Sequence, residues 1–155
     1  MKVIAVGNAF CGDDGVGAAV LAELAGMRSA TVDPVGMVDL VDLGTDALAL
    51  VDQLDPGTPC LVVDAARMGC EPGAVVMFRP DEARLRIRGD GLSLHGLGLA
   101  EAFALAGQLG RMPGDLKVIG VEPAQVGLGT GLSDAVAAAV PRVVDLIKAE
   151  VLRHE

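Results

Sequence analysis

The sequence predicts an α/β protein: a three-layer αβα sandwich around a mainly parallel, twisted sheet. Two observations lead to this fold class. Short apolar runs alternate along the chain with segments of helical periodicity. The run at residues 59–65 is apolar almost throughout, which is typical of a strand buried on both faces of a parallel sheet. With 155 residues, of which 52% are hydrophobic, the chain is expected to form one domain over residues 1–155 with a large core.

The individual elements follow from the same patterns. Strands are expected over residues 2–6, 59–65, 74–78 and 116–121, and strand-like residues also occur over 31–41. Helices are expected over residues 14–27, 46–54 and 96–110. Ser133 is predicted to cap a final helix that runs to about residue 153. Residues 80–91 are charged and are expected to form a loop.

The composition disfavours several classes of function. The formal net charge is −9 and the aromatic residues are limited to Phe10, Phe78 and Phe103, so nucleic-acid binding is not expected. The apolar stretch at residues 97–109 is too short for a membrane span and contains Glu101. No signal peptide is evident before the first strand. Three cysteines without a CxxC pair predict free thiols in a reducing cytoplasm, not a disulfide framework or a zinc site.

The most informative segment is the glycine-rich loop at residues 7–17, with the sequence GNAFCGDDGVG, which follows a strand and enters a helix. Such loops usually bind phosphate, because bare N–H groups and the helix dipole favour an anion. Here Asp13 and Asp14 would repel a pyrophosphate and attract a metal ion or a polarised peptide. The chain also lacks a GxGxxG fingerprint and a P-loop lysine, so nucleotide binding is disfavoured. Cys11 lies inside this loop, which leaves a reactive or metal-adjacent role open beside that of a small buried thiol.

Polar residues are predicted to meet at the carboxyl edge of the sheet, where ligands bind in open parallel sheets. Asp14 follows the first strand, Asp64 ends an apolar strand, and His95 lies just before a helix. A helix N-terminus disfavours the imidazolium and keeps a ring nitrogen available for a metal. Two carboxylates and one imidazole suit a divalent transition ion with open positions for substrate. Ser93 is not expected to be a nucleophile, since no elbow motif surrounds it.

Each of these residues also has a purely structural interpretation. Asp14 can be a helix cap, Asp64 can cap the turn that follows its strand, and a lone histidine such as His95 is more often structural than a ligand. Asp13 is expected to cap the helix or to support Asp14. Asp42 follows another apolar run and is interpreted as a turn or N-cap residue. The convergence of three weak signals on one sheet edge favours a functional site over these alternatives.

These motifs together resemble the [NiFe]-hydrogenase maturation proteases, which are endopeptidases that remove a C-terminal extension from the hydrogenase large subunit once nickel is in place. The resemblance rests on segments that occur in family order over nearly the whole chain. They are the loop at 7–17, LVVDA at 61–65, SLHGLGL at 93–99, IGVEP at 119–123 and GLS at 131–133.

The resemblance implies a three-layer α/β sandwich with Asp14, Asp64 and His95 as the nickel-binding and catalytic positions. The nickel is expected to arrive with the substrate, a [NiFe]-hydrogenase large-subunit precursor, in the cytoplasm. Hydrolysis driven by the ion and water activation by an aspartate both stay open, as does the oligomeric state, a monomer included. The alternative function is a non-catalytic nickel-binding or chaperone module for hydrogenase assembly. Phe10 stands where an aliphatic residue is usual, and Leu43 replaces a glycine, which bears on the precursor accepted.

Overall fold

The computed structural model of the protein describes residues 1–28, 38–88, 98–129 and 131–155. The strands of this part of the chain form one sheet in the order β2-β1-β3-β5-β4. All neighbouring pairs are parallel except β4 with β5, which is antiparallel at one edge. The strands are β1 Lys2–Ala5, β2 Asp39–Asp42, β3 Cys60–Ala65, β4 Val75–Phe78 and β5 Leu116–Val121. The predicted mainly parallel sheet is confirmed.

Helices cover both faces of the sheet. They are α1 Val16–Met27, α2 Ala49–Gln53, α3 Ala83–Arg86, α4 Leu99–Gln108 and α5 Asp134–Arg153. One core cluster joins α1 and α5 to the sheet, and a second joins α2, α3 and α4 to its other face. Alternate residues of β3 supply the two clusters, since Leu61 and Val63 face α1 and α5 whereas Cys60 and Val62 face α4. This arrangement confirms the three-layer αβα sandwich.

Two helix starts differ from the predictions for local reasons. The helix expected from residue 14 begins as a 3-10 turn at Gly12–Gly15, and α1 follows from Val16. The helix expected over 46–54 is shorter, because the Asp46 carboxylate accepts a hydrogen bond from the Ala49 N–H at 3.0 Å and α2 starts there. Ser133 caps α5 as predicted, accepting from the Val136 N–H at 3.4 Å.

The expectation of a loop over residues 80–91 is wrong for its first part. A 3-10 turn covers Pro80–Glu82 and leads into α3. The Glu82 carboxylate accepts from the Arg79 N–H at 2.9 Å, and Ala83 is buried in the core. Capping and tertiary burial therefore outweigh the charged composition that favoured a loop. Residues 89–97, like 29–37, lie outside the described residues.

The strand order creates a switch point at the centre of the sheet. From β1 the chain passes through α1 to β2 on one side, and then through α2 to β3 on the other side. Crevices at the carboxyl ends of strands that diverge in this way are where α/β sheets bind ligands. Gly17 keeps α1 close to this point, because a Cβ there would lie 2.9 Å from the Ala5 Cβ and 3.0 Å from the Val63 carbonyl oxygen. None of the helices described is both long and apolar enough to traverse a bilayer.

Candidate active site

The glycine-rich loop holds Asp14 at the carboxyl end of β1. Gly7 has a φ of +136°, and a Cβ there would lie 2.2 Å from the Asp14 carbonyl oxygen, so only glycine fits. The Asn8 N–H donates to the Asp14 Oδ2 at 2.8 Å. The interpretation of Asp14 as a helix cap is not supported, since the caps of the 3-10 turn and of α1 are Cys11 and Gly15, without side-chain cap bonds. The loop therefore fixes a half-buried carboxylate beside the switch point.

Asp64 is the fifth residue of β3, between the buried residues Val63 and Ala65. Burial raises the pKa of the Asp64 carboxyl well above its ordinary value of 3.8, and the negative charge of Asp14 raises it further. A hydrogen bond from the backbone of Ala65 acts in the opposite direction but does not offset these effects. Asp14 follows β1 and Asp64 lies near the end of β3, so the two carboxylates belong to the carboxyl ends of adjacent parallel strands, in agreement with the influence of one on the other.

His95 lies in the segment 89–97, outside the described residues, and so does Ser93. In the chain, this segment directly precedes Gly98 and α4. Because side chains alternate along a strand, Asp64 lies on the same face of β3 as Cys60 and Val62. Those two residues pack with α4 in one core cluster. The described residues contain no group of three His, Cys, Asp or Glu side chains that can hold a metal ion. A three-ligand site at Asp14 and Asp64 therefore needs a contribution from outside this part of the chain, and the role of His95 stays a prediction.

Asp13 has a different role from its neighbour. Its carboxylate is fully buried and accepts hydrogen bonds from the Ala124 N–H at 2.8 Å, the Gln125 N–H at 2.9 Å, and the Ser133 N–H and hydroxyl at 2.7 and 2.8 Å. Burial raises the pKa of Asp13, but these hydrogen bonds lower it by more, so the net shift is downward. Of the two roles expected for Asp13, the helix cap is wrong, because the cap of the 3-10 turn is Cys11. Asp13 ties this turn, which also contains Asp14, to the loop after β5 and to the start of α5.

Glu122 anchors a second loop, a role that the sequence reasoning missed. This buried carboxylate accepts hydrogen bonds from the backbone N–H groups of Met68 at 2.7 Å and of Gly69 and Cys70 at 3.1 Å each. The anchored residues follow closely after Asp64. The available signal was an acid directly after an apolar strand, and this is the signal that also marked Asp64.

The remaining candidates are Asp42 and the cysteines. Asp42 ends β2, and its Oδ1 accepts from the Gly44 N–H at 2.9 Å, as expected of a turn residue. The three cysteines are free thiols, with Cys11 and Cys60 buried and Cys70 exposed. Burial raises the pKa of the Cys60 thiol to about 12. The prediction of no disulfide is confirmed.

Comparison with known proteins identifies the family of this chain. Residues 23–150 match the HycI hydrogenase maturation protease family, a span that includes Asp64 and His95 and begins after Asp14. The chain is 35% identical over 121 residues to the hydrogenase expression/formation protein HupD of Bradyrhizobium diazoefficiens. The alignment covers 78% of this chain and 61% of HupD, so the chain spans less than two thirds of that relative.

Solved structures share the fold over nearly the whole chain. The hydrogenase maturating endopeptidase HybD from Escherichia coli has a TM-score of 0.80 with 21% identity, covering 99% of this chain and 94% of that one. A hydrogenase 2 maturation peptidase from a Thaumarchaeota archaeon has a TM-score of 0.66 with 28% identity and 99% coverage of both chains. With a family match over most of its length, the chain belongs to the hydrogenase maturation protease family.

Proposed function

We propose that this protein is an endopeptidase that removes the C-terminal extension of a nickel-loaded [NiFe]-hydrogenase large-subunit precursor. The observation that carries the proposal is the placement of Asp14 and Asp64 at the carboxyl ends of the adjacent strands β1 and β3, where the charge of Asp14 raises the pKa of Asp64. Family membership supports the reaction class, since the related structures are named maturation endopeptidases and peptidases.

The electrostatics of the pair favour a cation as part of the substrate. Two carboxylates held side by side repel each other, and a cation between them removes that repulsion. Oxygen ligands alone favour hard ions, whereas an imidazole suits nickel. His95 is the proposed source of that imidazole, and the nickel is the cargo of the precursor. Three protein ligands leave positions for groups of the substrate.

Peptide hydrolysis adds a water oxygen to the carbonyl carbon, breaks the C–N bond and delivers a proton to the leaving amine. Asp64, with its raised pKa, suits the proton transfers of this reaction, because it exchanges protons closer to neutral pH than an ordinary carboxyl does. An ion bound to the same carboxylate lowers its pKa and polarises the scissile carbonyl instead. Asp64 therefore serves either as a ligand or as a proton carrier in a given step.

The surrounding anchors support a preorganised site. Asp13 ties the Asp14 loop to the loop after β5, and Glu122 ties down the segment that follows Asp64. Both anchors are carboxylates bound by backbone N–H groups, so the two segments have little freedom to separate. Fixed geometry of this kind lets the carboxylates meet the substrate without reorganisation.

The proposal is tested by incubating the protein with nickel-loaded precursor and following loss of the extension by mass spectrometry. We expect processing by the wild type and none by Asp14→Asn, Asp64→Asn or His95→Ala. Asp55→Asn is the matched control: Asp55 precedes β3 and accepts from the Gly57 N–H at 2.8 Å, a bond that asparagine keeps. Processing by the three site variants at the wild-type rate would contradict the assignment.

The alternative, a non-catalytic nickel-binding or chaperone module, is separated by the same experiment. It predicts that the wild type binds the nickel-loaded precursor and leaves its mass unchanged. Equilibrium dialysis of the isolated protein adds a second test, since a substrate-borne ion requires weak nickel binding without precursor. The proposed compartment is the cytoplasm, which suits three free cysteines.

A further inference from the structure

Two large apolar side chains lie exposed on neighbouring loops at the candidate site. Phe10 is 71% exposed and Leu128 is 97% exposed. Their loops are joined by backbone hydrogen bonds, from the Gly12 N–H to the Gly129 oxygen at 2.8 Å and from the Gly129 N–H to the Phe10 oxygen at 3.0 Å. These bonds make a parallel bridge between Cys11 and Gly129, so Phe10 and Leu128 occupy adjacent positions on the two segments.

Hydrogen bonds connect this pair to the candidate site. The Phe10 N–H donates to the Asn8 Oδ1 at 2.9 Å, and the Asn8 N–H donates to the Asp14 Oδ2 at 2.8 Å. On the other segment, the Asp13 N–H donates to the Gln125 oxygen at 3.0 Å. The turn that presents Phe10 is therefore built on the Asp14 carboxylate itself.

A single exposed leucine needs no explanation, because much of any protein surface is apolar. The pair differs from the other exposed leucines because two large side chains occupy adjacent positions on bridged segments, which the buried Asp13 anchors and which lead to Asp14. Burial of these side chains against a partner would stabilise the complex, because it removes apolar surface from water. The partner that comes to this position in the proposed reaction is an extended polypeptide.

We propose that Phe10 and Leu128 bind an apolar side chain of the precursor polypeptide next to the bond that is cleaved, and thereby select the cleavage position. This inference rests on the proposed function, and the two residues act as specificity determinants, not as catalytic residues. Loss of an apolar contact of this kind reduces kcat/KM about 10- to 200-fold. The reduction should fall on KM more than on kcat, because the contact exists before and during the reaction.

The test compares Phe10→Ala, Leu128→Ala and the double variant with the wild type on nickel-loaded precursor. We expect kcat/KM of the double variant to fall at least about 10-fold with nearly unchanged kcat, and Phe10→Leu to retain most of the activity. Leu152→Ala is the matched control. Leu152 is 56% exposed, and its neighbour Arg153 contacts Asp115, which lies just before β5. Leu152 is therefore near the amino end of β5, at the end of the sheet opposite to the candidate site. Thermal unfolding of all variants should match the wild type, because the altered side chains are exposed.

Precursor binding, measured by biolayer interferometry, separates this inference from the proposed function. If the wild type binds without cleaving, the proposed function fails, and the inference still requires at least about 10-fold weaker binding by the double variant. A double variant that binds and cleaves within about twofold of the wild type overturns the inference. Sedimentation that shows a wild-type dimer and a monomeric double variant also overturns it, since the pair would then bind a second copy of this chain.

Discussion

Asp13 and Asp64 are two aspartates near the carboxyl ends of adjacent strands, and their pKa values are shifted in opposite directions. Asp13 accepts hydrogen bonds from three backbone N–H groups and one hydroxyl, and its pKa lies below the ordinary value. Asp64 has a pKa raised by burial and by the charge of Asp14. Burial alone therefore does not define the role of a carboxylate; its hydrogen-bond donors and neighbouring charges do.

The difference also separates stability from function. A buried carboxylate that is fully bound to N–H donors holds the fold together. A carboxylate beside a like charge costs free energy of folding, and such arrangements occur where binding or catalysis needs them. We therefore interpret Asp13 as a structural anchor and Asp64 as a residue that takes part in binding or catalysis.

The largest effect is expected for Asp13→Ala. The substitution leaves the N–H donors of Ala124, Gln125 and Ser133 without their acceptor in the protein interior, so we expect the free energy of unfolding to fall by about 3 kcal/mol or more. Urea unfolding measures the loss. Asp14→Asn serves as the comparison, because its half-buried side chain makes it a much milder change. A loss below about 1 kcal/mol for Asp13→Ala would contradict its role as an anchor.

A smaller loss is expected for Glu122→Gln, on the order of 2 kcal/mol, because one acceptor oxygen is replaced by an amide that cannot accept. Hydrogen exchange should accelerate at the N–H groups of Met68, Gly69 and Cys70, which the carboxylate binds. The amides within β5 act as the internal control and should exchange as in the wild type. Unchanged exchange at residues 68–70 would show that the loop is held by other contacts.

Glu150 tests, at the end of the sheet opposite to the candidate site, whether hydrogen-bond donors make a carboxylate stabilising. Burial raises its pKa, but hydrogen bonds from Lys117 and Arg153 lower it by more, so the net shift is downward. Its ionised form therefore stabilises the fold above the unfolded pKa of about 4.3, and this stabilisation is lost as the pH falls through the lowered folded pKa. We expect Glu150→Gln to cost about 1 kcal/mol at pH ~7 and almost nothing at pH ~2. A cost that is independent of pH would assign the effect to packing.

The smallest change concerns the coupling within the pair. In the metal-free protein, Asp14→Asn should lower the pKa of Asp64, because one of the two raising influences is removed. The pKa should stay above 3.8, since burial is the larger cause. Carboxyl carbon chemical shifts followed against pH by NMR measure this directly. An unchanged Asp64 titration would mean that the two carboxylates do not interact.

Much of the fold was predictable because strands buried on both faces carry their signal locally. The apolar runs at β3 and β5 identified the sheet, and strand geometry then required Asp14 and Asp64 to lie at the same edge. The short helix α3 was missed because it continues a 3-10 turn that Glu82 stabilises, and because Ala83 is buried against distant residues. Composition does not encode such tertiary contacts.

The partners of the two anchors were not predictable for a related reason. The partners of Asp13 lie at residues 124, 125 and 133, more than a hundred positions away, and those of Glu122 lie at residues 68–70. An acid after an apolar strand has the same local sequence whether distant N–H groups bind it or not. Only the folded chain distinguishes Glu122 from Asp64.

The most direct test of this division measures cleavage and stability of Asp64→Asn in the same preparation. If Asp64 takes part in binding or catalysis, the variant should fail to process nickel-loaded precursor. Its metal-free form should unfold at the same or a higher urea concentration than the wild type, because the repulsion between residue 64 and Asp14 is gone. A variant that processes the precursor normally, or that loses activity only together with stability, would contradict the account.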